Sequence, residues 1–170
     1  MAELVRPDVR YHSSWIVGVA EYGAQHIDGS GGPVDVATLT HGDRFAEHVD
    51  RLLADEREDA PRPEGFVPAT ALWMVHEREV VGFLQIRHRL TPFLLEQGGH
   101  IGYSVRPSAR RRGHASDALR AALPIAKDLG IDRVLVCCDE DNVGSRTVIE
   151  RAGGEYEDSQ AGKRRYWITT

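Results

Sequence analysis

Apolar residues recur along this chain with two different periods, and the places where one period gives way to the other mark its elements. Ala115, Ala118, Leu119, Ala122, Leu123, Ala126 and Leu129 fall on one face of a helix that Gly130 closes. Thr40 to Asp43 reads as the entry to another helix, with Phe45, His48, Val49, Leu52 and Leu53 on its inner face and charged residues on the other. A third helix is predicted from about Val143 to Ala152, with Asp141 or Asn142 as its N-cap and Gly153 past its end. Shorter runs read as strands. Ala71–Val75 and Val80–Ile86 form a hairpin around Glu77-Arg78, and His100–Val105 is a further strand. Arg133–Cys138 is so nearly all apolar that it suits a strand buried on both faces. The first third is weakly patterned. Leu4–Arg6 reads as a strand broken by Pro7, and an irregular helix is predicted from Asp8 to about Ile27. Asp28–Pro33 and Asp59–Pro68 are loops by their glycines and prolines. Thr91–Gly99 is a short turn or helix, and Glu155–Glu157 with Arg165–Thr169 make a closing hairpin around Gly162.

Composition narrows what such a chain can do. With 170 residues, 41% of them hydrophobic, it can bury one sizeable core, so residues 1–170 are expected to form a single domain. No apolar run approaches membrane-spanning length, and Met1–Arg6 has neither the basic start nor the apolar stretch of a signal peptide. A soluble, cytoplasmic protein with no membrane partner is therefore expected. A net charge of -5 argues against a duplex-binding protein, although basic residues cluster at 106–112 and at Lys163-Arg164-Arg165. A local cluster fits one polyphosphate ligand better than a nucleic-acid track. The 8 histidines show no metal-ligand pairing, so no metal is expected. Cys137 and Cys138 are adjacent, point to opposite faces of a strand, and read as core residues without a disulfide.

The strongest candidate for chemistry is Val105-Arg-Pro-Ser-Ala-Arg-Arg-Arg-Gly-His-Ala115, which joins a strand end to a helix start. Arg110, Arg111 and Arg112 supply positive charge, Gly113 lets backbone approach a ligand closely, and Ala115 keeps the first helical turn open. Free N–H groups and the positive end of the helix dipole then form an anion cradle.

The spacing Arg-x-x-Gly-x-Ala from Arg110 to Ala115 resembles the acyl-CoA signature of the GCN5-related N-acetyltransferase (GNAT) superfamily, in which it wraps the pyrophosphate of coenzyme A. A second segment is similar too: Asn142, Ser145, Glu150, Gly153 and Gly154 match an Asn-x-x-Ser-x-x-x-x-Glu-x-x-Gly-Gly pattern whose asparagine and serine line the cofactor. Leu84–His88, Gly98–Tyr103 and Arg165–Ile168 resemble a branch of bacterial predicted acetyltransferases. The likeness covers residues 69 to 170 well and the first 68 loosely. It implies an α/β (α+β) fold, a mixed central sheet flanked by helices, in the order strand, two helices, three strands, helix, strand, helix, two strands.

The resemblance also implies an activity: direct transfer of an acetyl group from acetyl-CoA to an amine, without a covalent intermediate. The alternative is a non-catalytic acyl-CoA-binding sensor or scaffold. An arginine-rich RNA-binding module is a third reading, which the net charge disfavours. By the resemblance, backbone groups of Tyr103, Ser104 and Val105 bind the pantetheine amides as an added strand would, and a main-chain N–H, that of Val105 foremost, polarises the thioester carbonyl. Arg110, Arg111, Arg112, Gly113, His114 and Ala115 hold phosphate, and Asn142 and Ser145 line the cofactor, the other reading of Asn142 being a plain helix cap. His100 stands where relatives carry a glutamate, which makes it the first candidate base; the other reading is a histidine bonded to a neighbouring strand. Glu96 and His88 follow. Ile149 replaces the tyrosine that protonates sulfur in many relatives, leaving Tyr156, Tyr103 or Ser145 to substitute, or solvent; Tyr156 reads more readily as a strand aromatic. The partner is a small-molecule or peptide amine, and the protein a monomer or homodimer.

Overall fold

The computed structural model describes residues 1–170. Its elements are β1 (Glu3–Val5), α1 (His12–Ala20), α2 (Val36–Leu39), α3 (Gly42–Ala54), β2 (Ala69–His76), β3 (Glu79–Arg87), β4 (Ile101–Val105), α4 (His114–Asp128), β5 (Arg133–Asp139), α5 (Val143–Arg151), β6 (Glu155–Gln160) and β7 (Lys163–Thr169). The strands form one seven-stranded sheet in the order β1-β2-β3-β4-β5-β7-β6. Every neighbouring pair is antiparallel except β4–β5, which is parallel and is bridged by α4, as a parallel pair requires a crossover. The mixed sheet flanked by helices is the expected α+β architecture.

Alternation along the strands sorts the core into two layers. Leu72, Met74, Leu84, Ile86, Val134 and Val136 pack under α4 and α5 with Leu119, Ala122, Ala126 and Ile149. Ala71, Trp73, Val75 and Phe83 point the other way, onto Trp15, Phe45, Val49 and Leu52 of α1 and α3. The rings of Trp15 and Phe45 meet edge-on at 5.1 Å in this second layer.

Two expectations shift. The helix predicted from Asp8 to Ile27 is a 3₁₀ turn at Val9–Tyr11 followed by the shorter α1, because the chain turns at Gly23 with φ of 57°. The closing hairpin is longer than its apolar residues suggest, since β6 carries charge on an exposed edge and alternation gives no signal there.

The feature that makes a site is the junction of β4 with β5. They share a single register pair, Ile101 with Val136, and then part. Each is held by its outer neighbour: β4 pairs with β3 along its whole length, and β5 pairs with β7 from Arg133–Thr169 to Asp139–Lys163. The sheet therefore opens as a wedge between two well-anchored strands.

Candidate active site

The wedge is the mouth of a cavity of about 720 Å³ that passes through the sheet, from the start of α4 on one face to the chain after α1 on the other. Its β4 wall can be derived from the ladder. The Arg106 N–H donates to the Val81 carbonyl at 2.9 Å and the Arg87 N–H to the His100 carbonyl at 2.7 Å. Even-numbered β4 positions thus spend their backbone groups on β3, and Tyr103 and Val105 turn theirs toward the wedge. Ser104, expected to offer backbone, offers its side chain on the opposite face instead: its hydroxyl donates to the Asp28 carbonyl at 2.7 Å and accepts from the Tyr22 hydroxyl at 3.3 Å. Tyr103, not Val105, has the N–H nearest the closed end of the wedge, because Val105 lies at the end that opens onto α4.

The cradle takes the form its sequence implies. Gly113 sits at φ of 88°, a left-handed conformation that costs other residues roughly 1–2 kcal/mol, and an added Cβ there would meet nothing within 4 Å. The first backbone bond of α4 runs from the Asp117 N–H to the Gly113 carbonyl at 3.0 Å, so the N–H groups of residues 111 to 116 have no partner within the chain. They converge with Arg110 and Arg111 on the cavity wall. Arg110 also reaches back, its Nε donating to the Val105 carbonyl at 3.0 Å. Partnerless N–H groups, a helix dipole and two arginines fit a diphosphate. Arg112 is not on the wall. His114 is, a residue only 4% exposed whose ring packs 4.9 Å from that of His76. Burial first, then repulsion from His76, keeps the His114 ring neutral below its ordinary pKa.

Asn142 and Ser145 both line the far wall. The Asn142 side chain caps α5 by accepting from the Ser145 N–H at 3.0 Å, and the Ser145 hydroxyl lies 2.7 Å from that of Tyr103. Burial raises the Tyr103 pKa, so the phenol keeps its proton at neutral pH. Glu150 of the same pattern is structural, accepting from Arg146 at 2.9 Å and from the Tyr166 hydroxyl at 3.1 Å.

The two residues expected to be catalytic stand elsewhere. His100 is buried beside the closed end, and its Nδ1 accepts from the Leu135 N–H at 2.9 Å. Its proton then sits on Nε2, so no lone pair is free for a substrate, and desolvation pushes its pKa down to about 4. Tyr156 is half exposed on β6, its hydroxyl 3.0 Å from that of Ser159 and its ring under Arg164. The reserve candidates Glu96 and His88 also miss the cavity, and His88 faces the Thr70 hydroxyl at 2.9 Å.

Several wall residues were not anticipated. Tyr22, His26, Asp28, Arg87, Gln97 and Cys137 line the end beyond the sheet. His26 Nε2 lies 3.5 Å from Asp28 Oδ1. Cys137, expected in the core, faces the cavity with its thiol pushed up to about 11 by burial. Arg87 carried a signal, because it continues the period of Phe83 and Gln85. The loop residues carried none, since nothing local places 22–28 over β4.

Residues 36–155 match the family described as Acetyltransferase (GNAT) domain. The chain belongs to the GNAT acetyltransferase family. Among solved structures, RimJ of Mycobacterium smegmatis in complex with CoA-disulfide shares 19% identity at a TM-score of 0.70, over 99% of this chain and 82% of that one. The Salmonella typhimurium acetyltransferase that modifies the N-terminal serine of ribosomal protein L7/L12 shares 19% identity at 0.64, over 99% and 95%. The microcin C7 self-immunity acetyltransferase MccE, in complex with acetyl-CoA and AMP, shares 15% at 0.64, over 99% and 92%. These likenesses show a shared fold. No curated protein sequence matches the chain. GNAT enzymes use acetyl-CoA as cosubstrate, and no helix in this chain is long and apolar enough to cross a membrane.

Proposed function

We propose that this chain acetylates an amine directly from acetyl-CoA, bound with its diphosphate on residues 110–116 and its pantetheine arm along the β4 side of the wedge. The observation that carries this reading is the run of partnerless N–H groups from 111 to 116 continuous with the free Tyr103 and Val105 backbone edge. One anion site and one strand-like edge then serve a single elongated ligand. The Tyr103 N–H polarises the thioester carbonyl, and Val105 holds the arm.

The acceptor enters from the opposite face of the sheet, past the chain after α1. His26, whose Nε2 lies 3.5 Å from Asp28, takes the amine proton at Nδ1, since an amine with a pKa near 10 is almost wholly protonated at neutral pH. The nitrogen bonds to the acetyl carbon, the carbon–sulfur bond breaks, and the Tyr103–Ser145 hydroxyl pair donates a hydrogen bond to the departing sulfur. The peptide N-terminus modified by the Salmonella neighbour is one acceptor of the required chemistry.

Calorimetric titration tests the cofactor half. One molecule of CoA is expected to bind per chain, and binding is expected to raise the melting temperature because the ligand contacts only the native wedge. Binding of ATP with no response to CoA would overturn the assignment.

A further inference from the structure

Arg87 is a half-buried cation that no carboxylate touches. It lies on the cavity wall at the acceptor end, and its Nη1 donates to the carbonyls of Gly98 at 2.9 Å and Gly99 at 3.1 Å. No carboxylate lies within 4.0 Å of it. The other cation at this end, Lys163, is already bonded to Asp139. Desolvation lowers this guanidinium's pKa, and the Asp28 carboxylate, farther off on the same wall, opposes that shift. Two neutral carbonyls satisfy Nη1 alone and leave Nε and Nη2 without a partner in the chain, so a partly desolvated charge keeps most of its donor fork for an anion.

The placement gives that charge a use. An ideal Cβ on Gly102 would lie 3.2 Å from Arg87 Nη2 and 3.5 Å from Nη1, so the fork rests over Gly102, which as a glycine leaves it room. The next residue is Tyr103, whose N–H faces the closed end of the wedge. An anion on Arg87 would therefore lie beside Tyr103, where the acetyl-transfer reading puts the acetyl group. Planar, bidentate recognition by arginine favours a carboxylate.

We propose that the acceptor is an amine bearing a carboxylate close to its nitrogen, bound through Arg87: a free amino acid, or a peptide beginning with Asp or Glu. The inference rests on the acetyl-transfer reading and deepens it. The reaction forms the amide bond, breaks the thioester carbon–sulfur bond, and passes the amine proton to the base.

The test compares thiol release from acetyl-CoA with each of the free amino acids, the matching amino-acid amides, and peptides starting with Asp, Glu, Asn or Gln. Acids are expected to exceed their amides by roughly 30-fold in kcat/KM, the low end of the loss when one partner of a hydrogen-bonded charge pair is removed, as suits a half-buried arginine. Whether the free acids or the acidic peptides carry the preference identifies the source. Arg87→Gln, which keeps an amide donor for the Gly98 carbonyl, is expected to erase the discrimination while CoA affinity holds, and Arg87→Lys to restore part of it. Calorimetry on CoA-saturated protein with N-acetylated amino acids supplies a readout independent of turnover, with binding expected in the wild type and lost in Arg87→Gln. Equal rates for acids and amides, equal losses for both in Arg87→Gln, or no binding of any N-acetylated acid would overturn the proposal. Normal CoA binding in those cases would leave the cofactor assignment standing.

Discussion

Replacing His100 with alanine separates a structural histidine from a catalytic one. Alanine leaves the Leu135 N–H buried without its 2.9 Å acceptor, which costs about 1–3 kcal/mol at neutral pH. The acid side runs the other way. Burial holds the folded pKa near 4 against an ordinary 6.5, so below pH 6.5 the unfolded chain takes up a proton that the folded chain refuses. Native stability therefore falls as pH drops through this window. At 1.36 kcal/mol per pKa unit, the loss due to this ring is about 2 kcal/mol at pH 5 and about 3 kcal/mol at pH 4. The variant has no such loss. The wild type's advantage of about 2 kcal/mol at pH 7 should shrink to nearly nothing by pH 5 and reverse by pH 4. Urea unfolding of both proteins across that range reads this directly, and the other buried ring, His48, titrates alike in both and cancels. A constant offset between the two curves would refute the reasoning, as would loss of the rising limb of the activity profile in the variant.

Gly113→Asp should abolish CoA binding by calorimetry while the protein stays folded, because the carboxylate opposes the diphosphate and the left-handed backbone adds only about 1–2 kcal/mol of strain. Asn142→Ala should cost about 1 kcal/mol of stability for the lost cap and also weaken CoA binding, and a variant that loses stability alone would make Asn142 a cap and nothing more. His26→Ala should lower kcat by about 10²-fold with CoA affinity unchanged. Unimpaired turnover in that variant would remove His26 from the reaction.

The cofactor half of the site was legible because it is local. Strand, glycine-bearing loop and helix follow one another between His100 and Leu129, and the structure keeps that order. The acceptor half was not, because residues 22–28, Arg87 and Cys137 meet only after the chain beyond α1 folds back across β4, through contacts such as Tyr22–Ser104 that span 82 positions. His100 misled for the same reason. Its position in the chain suits a base, but its partner is the Leu135 N–H, 35 residues away on a parallel neighbour that no local pattern identifies. Tyr156 lay on a strand whose face could not be read from its charged neighbours.

Following the acetyl group itself tests the central claim most directly. Protein incubated with acetyl-labelled acetyl-CoA and an amine panel should release CoA thiol in step with N-acetylated amine, with no label left on the protein at any time. Tight CoA binding with thiol release no faster than in the absence of protein would contradict the account and leave a binding module in place of an enzyme.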